Sequence, residues 1–275
     1  MSRYGWRRQN PDLRDYTVRH PLVAAMLRRT RVGEPLPSSV DLREGCAPIQ
    51  DQGHLGSCTA FAAAGVLTFM EYRATGKYVD PSTLAIYKWT RDAMGLIGDS
   101  GADIRTTIQT IVNPGAPPES LWPYDIARFD EEPPDDVKLA AHNYRALTYV
   151  SIDPPDVPAV LALGNVKRLL ASGIPVMYGF TVYKNAIDAA ERSGQIPFPS
   201  KNDSVEGGHG NSWVGYDDDL VIAGDQGALL SRNQWGTGWG EDGYGWLPYR
   251  YLLDGLASDL WAVLSESWVE TGRFS

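Results

Sequence analysis

The sequence predicts an α+β protein built from two packed halves. Helical patterns lie before residue 113, strand patterns dominate after residue 145, and a proline-rich passage separates the two. No internal repeat is present, which sets solenoids and propellers aside. A chain of 275 residues, 43% hydrophobic and 21% charged, has the volume for a buried core and excludes wholesale disorder.

Residues 1–37 read as a basic arm. Residues 1–33 hold eight arginines and two aspartates, a net +6, whereas the remaining 242 residues carry 17 basic and 32 acidic side chains, a net −15. Long-range attraction draws such an arm towards the body, so it is either a solvated tail or a pro-segment lying across the domain. Met1 to Asn10 lacks the apolar core of a secretory signal, which makes a cytoplasmic location the default expectation. No apolar run reaches the ~18–20 residues of a membrane span. A net charge of −9 argues against a general nucleic-acid binder.

The stretch Cys58–Gly76 has no proline, is rich in Ala, Leu and Met, and ends on a glycine, all of which predict a largely buried helix. Pro81–Met94 opens with proline and serine, as helices often do. Asp103–Val112 reads as a third helix, stopped by Asn113-Pro114. Residues 113–136 carry Pro114, Pro117, Pro118, Pro123, Pro133 and Pro134 and read as an ordered loop. Arg145–Ile152 and Val176–Tyr183 have the Val, Tyr, Phe and Thr content of strands. Helices are expected near Val157–Ser172 and Asn185–Glu191. Short strands are expected at Trp213–Asp217, Ala228–Asn233, Tyr244–Pro248 and Leu260–Ser265.

Two cysteines, Cys46 and Cys58, are too few for a disulfide scaffold or a four-cysteine zinc site. His20, His54, His142 and His209 show no paired ligand spacing, so neither a metal nor a cofactor is expected. The run Gln52-Gly53-His54-Leu55-Gly56-Ser57-Cys58 leads straight into the first helix. A cysteine there sits near unpaired N–H groups and the positive end of the helix dipole, which stabilise a thiolate. The alternative is a small buried thiol, and on this stretch alone both readings stand. A nucleophilic cysteine needs a base, and the base needs an orienting partner. Gly207-Gly208-His209, opening an apparent strand, offers the first. Asn233, at the head of Asn233-Gln234-Trp235-Gly236-Thr237-Gly238-Trp239-Gly240, offers the second.

With these motifs in order, the chain resembles a papain-family cysteine peptidase, and the bacterial members more than the plant or lysosomal ones. The likeness runs from about Leu36 to Ser265 and also includes Ser39-Val40-Asp41-Leu42-Arg43, Asp99-Ser100-Gly101-Ala102 and Trp122-Pro123-Tyr124-Asp125. It implies a two-lobed papain-like fold: a helical lobe over about residues 50–130, a β-barrel-like lobe over about 140–265, and a cleft between them. It further implies Cys58 as nucleophile, His209 as acid and base, Asn233 as orienter and Gln52 as the side-chain donor of the oxyanion hole. Ser100, Gly101 and Ala102 would form an edge for substrate backbone, with Trp235 and Trp239 on the substrate side. Trp235 would also shield the His–Asn bond from water.

Several residues depart from the family pattern. Leu55 stands where many relatives have a disulfide cysteine, Thr59 and Gly210 follow the nucleophile and the histidine, and Gln234 replaces a serine. Gly210 is expected to loosen the strand that aims His209, and Cys46 to be a bystander thiol. The expected partner is a peptide or protein substrate, with the arm as an intramolecular occupant of the cleft. Acyl transfer to an amine, as in a transferase or amidase, uses the same residues. A non-catalytic binding protein on the same fold is a further alternative.

Overall fold

The computed structural model describes residues 3–12, 14–29, 35–142 and 148–264. The start of the strand expected from Arg145 and its counterpart's end at Ser265 lie outside those residues.

The helical lobe forms where the sequence lacks proline and supplies caps. Helix α1 (Pro21–Arg29) precedes it, in the arm. A three-residue strand β1 (Ser39–Asp41) follows, then α2 (Cys58–Thr75), α3 (Thr83–Ala93) and α4 (Ile104–Val112). Gly76 closes α2 with φ 73°, a left-handed conformation that costs a glycine little. The Ser82 and Asp103 side chains cap α3 and α4, accepting from Ala85 N and Thr106 N. Helix α5 (Asp135–Ala141) rises from the end of the expected loop, with Pro134 at its N-cap position. The Pro133-Pro134 pair reads as loop in sequence, yet proline before a first turn forfeits no helical bond.

Strand β2 (Thr148–Ser151), α6 (Ala159–Ala171), β3 (Val176–Tyr183) and α7 (Lys184–Ala190) come next. They are followed by β4 (Val205–Ile222), β5 (Asp225–Arg232), β6 (Tyr244–Pro248), α8 (Tyr249–Leu253) and β7 (Ala257–Leu264). The antiparallel sheet runs β2-β7-β3-β4-β5-β6, and β1 pairs with β4 through Ser39–Asp217 to Asp41–Gly215. β4 is far longer than its apolar centre suggests. Its glycine-rich start is held against β3 and its acidic end against β5, with register shifts after Trp213 and Asp217.

Two hydrophobic clusters meet at the sheet. One joins α2, α3 and α4 to Met177, Trp261 and Val263, which reach across from β3 and β7. The other fills the space between the sheet and α6, and includes Val18, Val23 and Leu27 of the arm. Truncating a fully buried aromatic such as Trp261 costs about 3–5 kcal/mol.

The arm docks by apolar and backbone contacts more than by its arginine surplus. Val18 N donates to Ser151 O and Ser151 N to Tyr16 O, extending the sheet edge by one bridge. Arg19 pairs with Asp156, but Arg14 pairs with Asp12 inside the arm. The most enclosed ion pair there has the reverse sense, the body's Arg105 holding the arm's Asp15 at 2.5 Å.

Candidate active site

Helix α2 places Cys58 in its first turn, fully buried. Ser57, at the N-cap position, makes no side-chain cap; its hydroxyl pairs with Tyr124 OH at 2.9 Å. Gly210 N donates to Cys58 Sγ at 3.3 Å. The N–H groups of Gly5, Thr59 and Cys58 also favour the thiolate, but burial outweighs them and pushes the thiol pKa up.

β4 presents His209 and β5 runs into Asn233, both buried. His209 Nε2 lies 2.9 Å from Asn233 Oδ1. That oxygen also accepts from Gln234 N at 2.9 Å, so it is an acceptor towards the ring and Nε2 carries the proton. Nδ1 is then a lone pair, buried and without a hydrogen-bond partner among the described residues. Trp235 stacks on the imidazole at 4.5 Å between centroids, and Phe180 and Tyr4 meet it edge-on. Burial pushes His209 down to about 3, against the raising effect of the Asn233 bond. The enclosed site therefore favours a neutral thiol and a neutral imidazole.

Gln52 holds its own loop and faces an acceptor. Its Nε2 donates to Leu55 O at 2.7 Å and to the Arg3 carbonyl at 3.0 Å. Tyr124 OH donates to Gln52 O at 2.9 Å. Leu55 is fully buried in the helical core, and as a leucine it offers its loop no disulfide. Asp99 ties it instead: Oδ1 accepts from Gly56 N at 2.9 Å and from Tyr87 OH at 2.7 Å, and Tyr87 OH accepts from Gly101 N at 3.0 Å.

The 100–102 edge is occupied by the arm. Ala102 N donates to Gly5 O (2.8 Å), Arg7 N to Ala102 O (3.0 Å) and Arg7 Nη1 to Ser100 O (3.2 Å). Trp6 N donates to Gly208 O at 2.9 Å on the opposite wall. Gly101 has φ 71°, and a Cβ there would lie 2.1 Å from Gly5 O. On the His209 side, Trp239 packs edge-on against Trp235, and the Arg3 guanidinium lies 4.7 Å from the Trp235 ring centre. These groups, with Tyr4, Ile187, Asp188 and Glu191, line an open cavity of about 280 Å³.

The structure thus brings Gln52, Cys58, His209, Asn233, Ser100, Gly101, Ala102, Trp235 and Trp239 to one cleft. Cys46 makes a weak contact to Leu42 O and is a free thiol. The expected looseness at Gly210 has a steric answer, since a Cβ there would lie 3.0 Å from Thr59 Cγ2. A glycine after the histidine fits the threonine after the nucleophile. Sequence reasoning assigned no role to Asp99, Tyr87 or Gln234. Gln234 Nε2 donates to Gly210 O at 2.8 Å and lies 3.4 Å from Cys58 O, linking α2 to β4. Its place beside Asn233, where the resembled pattern has serine, was the signal the sequence offered.

A family model described as papain family cysteine protease matches residues 36–251. An uncharacterized peptidase C1-like protein of Acanthamoeba polyphaga mimivirus is 34% identical over 218 residues, 78% of this chain and 68% of that one. A cathepsin L-like peptidase of Aedes aegypti is 30% identical over 239 residues, 79% of this chain and 63% of its own length. The crystal structure of xylellain, a cysteine protease from Xylella fastidiosa, superposes with a TM-score of 0.79 at 33% identity, covering 96% of both chains.

Proposed function

The chain belongs to the papain family of cysteine proteases, and we propose that it hydrolyses peptide bonds through an acyl-thioester on Cys58 and is held latent by Arg3–Arg7. The observation that carries the first part is the His209 ring, fixed through Nε2 by Asn233 with Nδ1 left free to exchange a proton with the thiol.

In the reaction, His209 Nδ1 takes the Cys58 proton and Sγ adds to the substrate carbonyl carbon. The new oxyanion is received by Gln52 Nε2 and the Cys58 N–H. Collapse breaks the C–N bond, and the imidazolium delivers its proton to the departing amine. A water, deprotonated by the same nitrogen, then adds to the thioester. The C–S bond breaks, the acid leaves, and the thiol is restored. Asn233 keeps the ring aimed throughout, under the Trp235 stack.

Latency is supported by three features. Gln52 already donates to the Arg3 carbonyl, so the oxyanion site is taken. The arm's direction is also unsuited to cleavage. The amine leaves on the imidazole's side, where Trp235 and Trp239 stand, so residues after a scissile bond belong there. Arg3 and Tyr4 occupy that side and the chain then runs to Gly5 and Trp6 at the 100–102 edge, the reverse order. Finally, the covering arm keeps water from Cys58 and His209, which disfavours their ion pair.

The test is product analysis with an unblocked peptide, in the presence and absence of a primary amine, for wild type and Cys58→Ala. Free carboxyl products in wild type alone support hydrolysis. Amide products in place of acids would assign acyl transfer, and no turnover by wild type or by a variant whose arm is displaced would favour a binding role.

A further inference from the structure

Gln234 is buried two residues past the end of β5, with contacts to every segment that carries a group of the reaction. Its backbone makes two of them. The carbonyl accepts from Gln52 N at 3.0 Å, and the N–H donates to Asn233 Oδ1 at 2.9 Å. Its side chain makes the others. Nε2 donates to Gly210 O at 2.8 Å and stands 3.4 Å from Cys58 O. Two carbonyls beside that nitrogen settle which end of the carboxamide faces them.

The other end is left alone. Gln234 Oε1 is buried and has no hydrogen-bond partner among the described residues. A buried oxygen without a donor is destabilising, and serine or an apolar residue at this position would not bring that amide oxygen. What the glutamine adds is its N–H groups, and they act where distance matters most to the chemistry. Gly210 directly follows His209, and its own N–H donates to Cys58 Sγ at 3.3 Å. The missing Cβ at Gly210 lets the strand lie against Thr59, the residue after Cys58. One side chain can then span Gly210 O and Cys58 O. Gln234 Nε2 is also 3.3 Å from His209 Nε2. Both nitrogens are donors, so the ring proton keeps Asn233 Oδ1 as its acceptor and Nδ1 stays the lone pair for the thiol.

We propose that Gln234 is a positioning residue for proton transfer from Cys58 to His209, its carboxamide clamping the turn that bears the sulfur to the strand that bears the ring. This rests on the peptidase reading above. Without the clamp, the sulfur and Nδ1 drift from the separation that transfer requires, and Cys58 ionises as an ordinary thiol.

The experiment is the rate of Cys58 alkylation by iodoacetamide as a function of pH, with the modified cysteine identified by peptide mapping. Sγ takes the reagent's methylene carbon, iodide leaves, and the thiol proton passes to His209 Nδ1. No oxyanion forms, so the donors of Gln52 play no part. The full chain carries Gly5→Ala throughout, and Gln234→Met and Gln234→Ser are compared with that parent. Methionine matches the length of glutamine without a donor, and serine is too short to reach either carbonyl. Near pH 7 both variants should react about 10–100-fold more slowly than the parent. Their midpoints should rise towards the ~8.5 of a free thiol. Near pH 10, where solvent removes the proton unaided, rates should converge to within about twofold. Parent-like rates and midpoints in the folded variants overturn the positioning role and leave the peptidase reading standing. So does an equal loss at both pH values, which marks damaged packing. Gln234→Ser decides by the same measures if Gln234→Met does not fold. A parent that itself titrates as an ordinary thiol overturns both readings.

Discussion

Replacing Gly5 with alanine should switch the enzyme on. The methyl carbon would sit 1.9 Å from Gly56 O, a contact that no side-chain rotation relieves because both partners are backbone-fixed. The arm's hold on the cleft is finely balanced. Its hydrogen bonds from Arg3 to Gln9 contribute about 0.5–1.5 kcal/mol each, while ordering the same residues costs about 1–2 kcal/mol apiece. These nearly cancel, so a covered cleft is favoured by no more than a few kcal/mol. Forcing extra volume into a packed contact costs about 1–3 kcal/mol, which lowers the closed-to-open ratio about 5–150-fold. The arm remains attached, since Val18, Val23 and Leu27 stay in the core. For the same reason, removal of the whole arm to Leu36 would strip core residues as well as the plug, and a point change is the cleaner probe. The assay is the initial rate on a fluorogenic peptide, with Gly164→Ala on α6 as a control expected to leave the rate unchanged. A folded Gly5→Ala protein with the wild-type rate would refute the inhibitory role of the arm.

Four further outcomes follow from the geometry. Gln52→Ala, assayed in the Gly5→Ala background, should lower kcat about 10²–10³-fold, the usual loss for one oxyanion donor. Asp99→Ala should reduce kcat/KM about tenfold by freeing the Gly56 loop from the Gly101 edge, whereas Asp99→Asn, which keeps an acceptor oxygen, should largely retain it. Gly210→Ala should cost about 1 kcal/mol in a denaturant titration through its contact with Thr59, and Thr59→Ser should recover part of the loss. The pH midpoint for alkylation of Cys58 should be lower in Gly5→Ala than in wild type. Burial raises the thiol pKa by penalising the charged form, so admitting water lowers it. An unchanged midpoint would show that the arm does not desolvate the pair.

Much of this architecture was legible in the sequence. The α2 helix is announced by its alanine run and terminal Gly76, β3 by its branched and aromatic residues, and the Cys58, His209 and Asn233 set by its glycine-flanked order. Three kinds of feature were not. Helix α1 hides in an arginine-rich stretch where only a few apolar residues face the core, and α8 is too short to show a period. β4 extends through glycines and acids because its neighbours supply the ladder that its own propensity does not. Asp99 gains meaning only once Tyr87 and Gly56 converge on it.

If the arm is displaceable, Cys58 beneath it should react as an activated nucleophile. Intact mass after exposure to an epoxide inhibitor of papain-like enzymes tests it most directly, comparing wild type, Gly5→Ala and Cys58→Ala. A slow single adduct is expected on wild type, a fast single adduct on Gly5→Ala, and none on Cys58→Ala. An adduct that persists in Cys58→Ala, or none on Gly5→Ala, would contradict it.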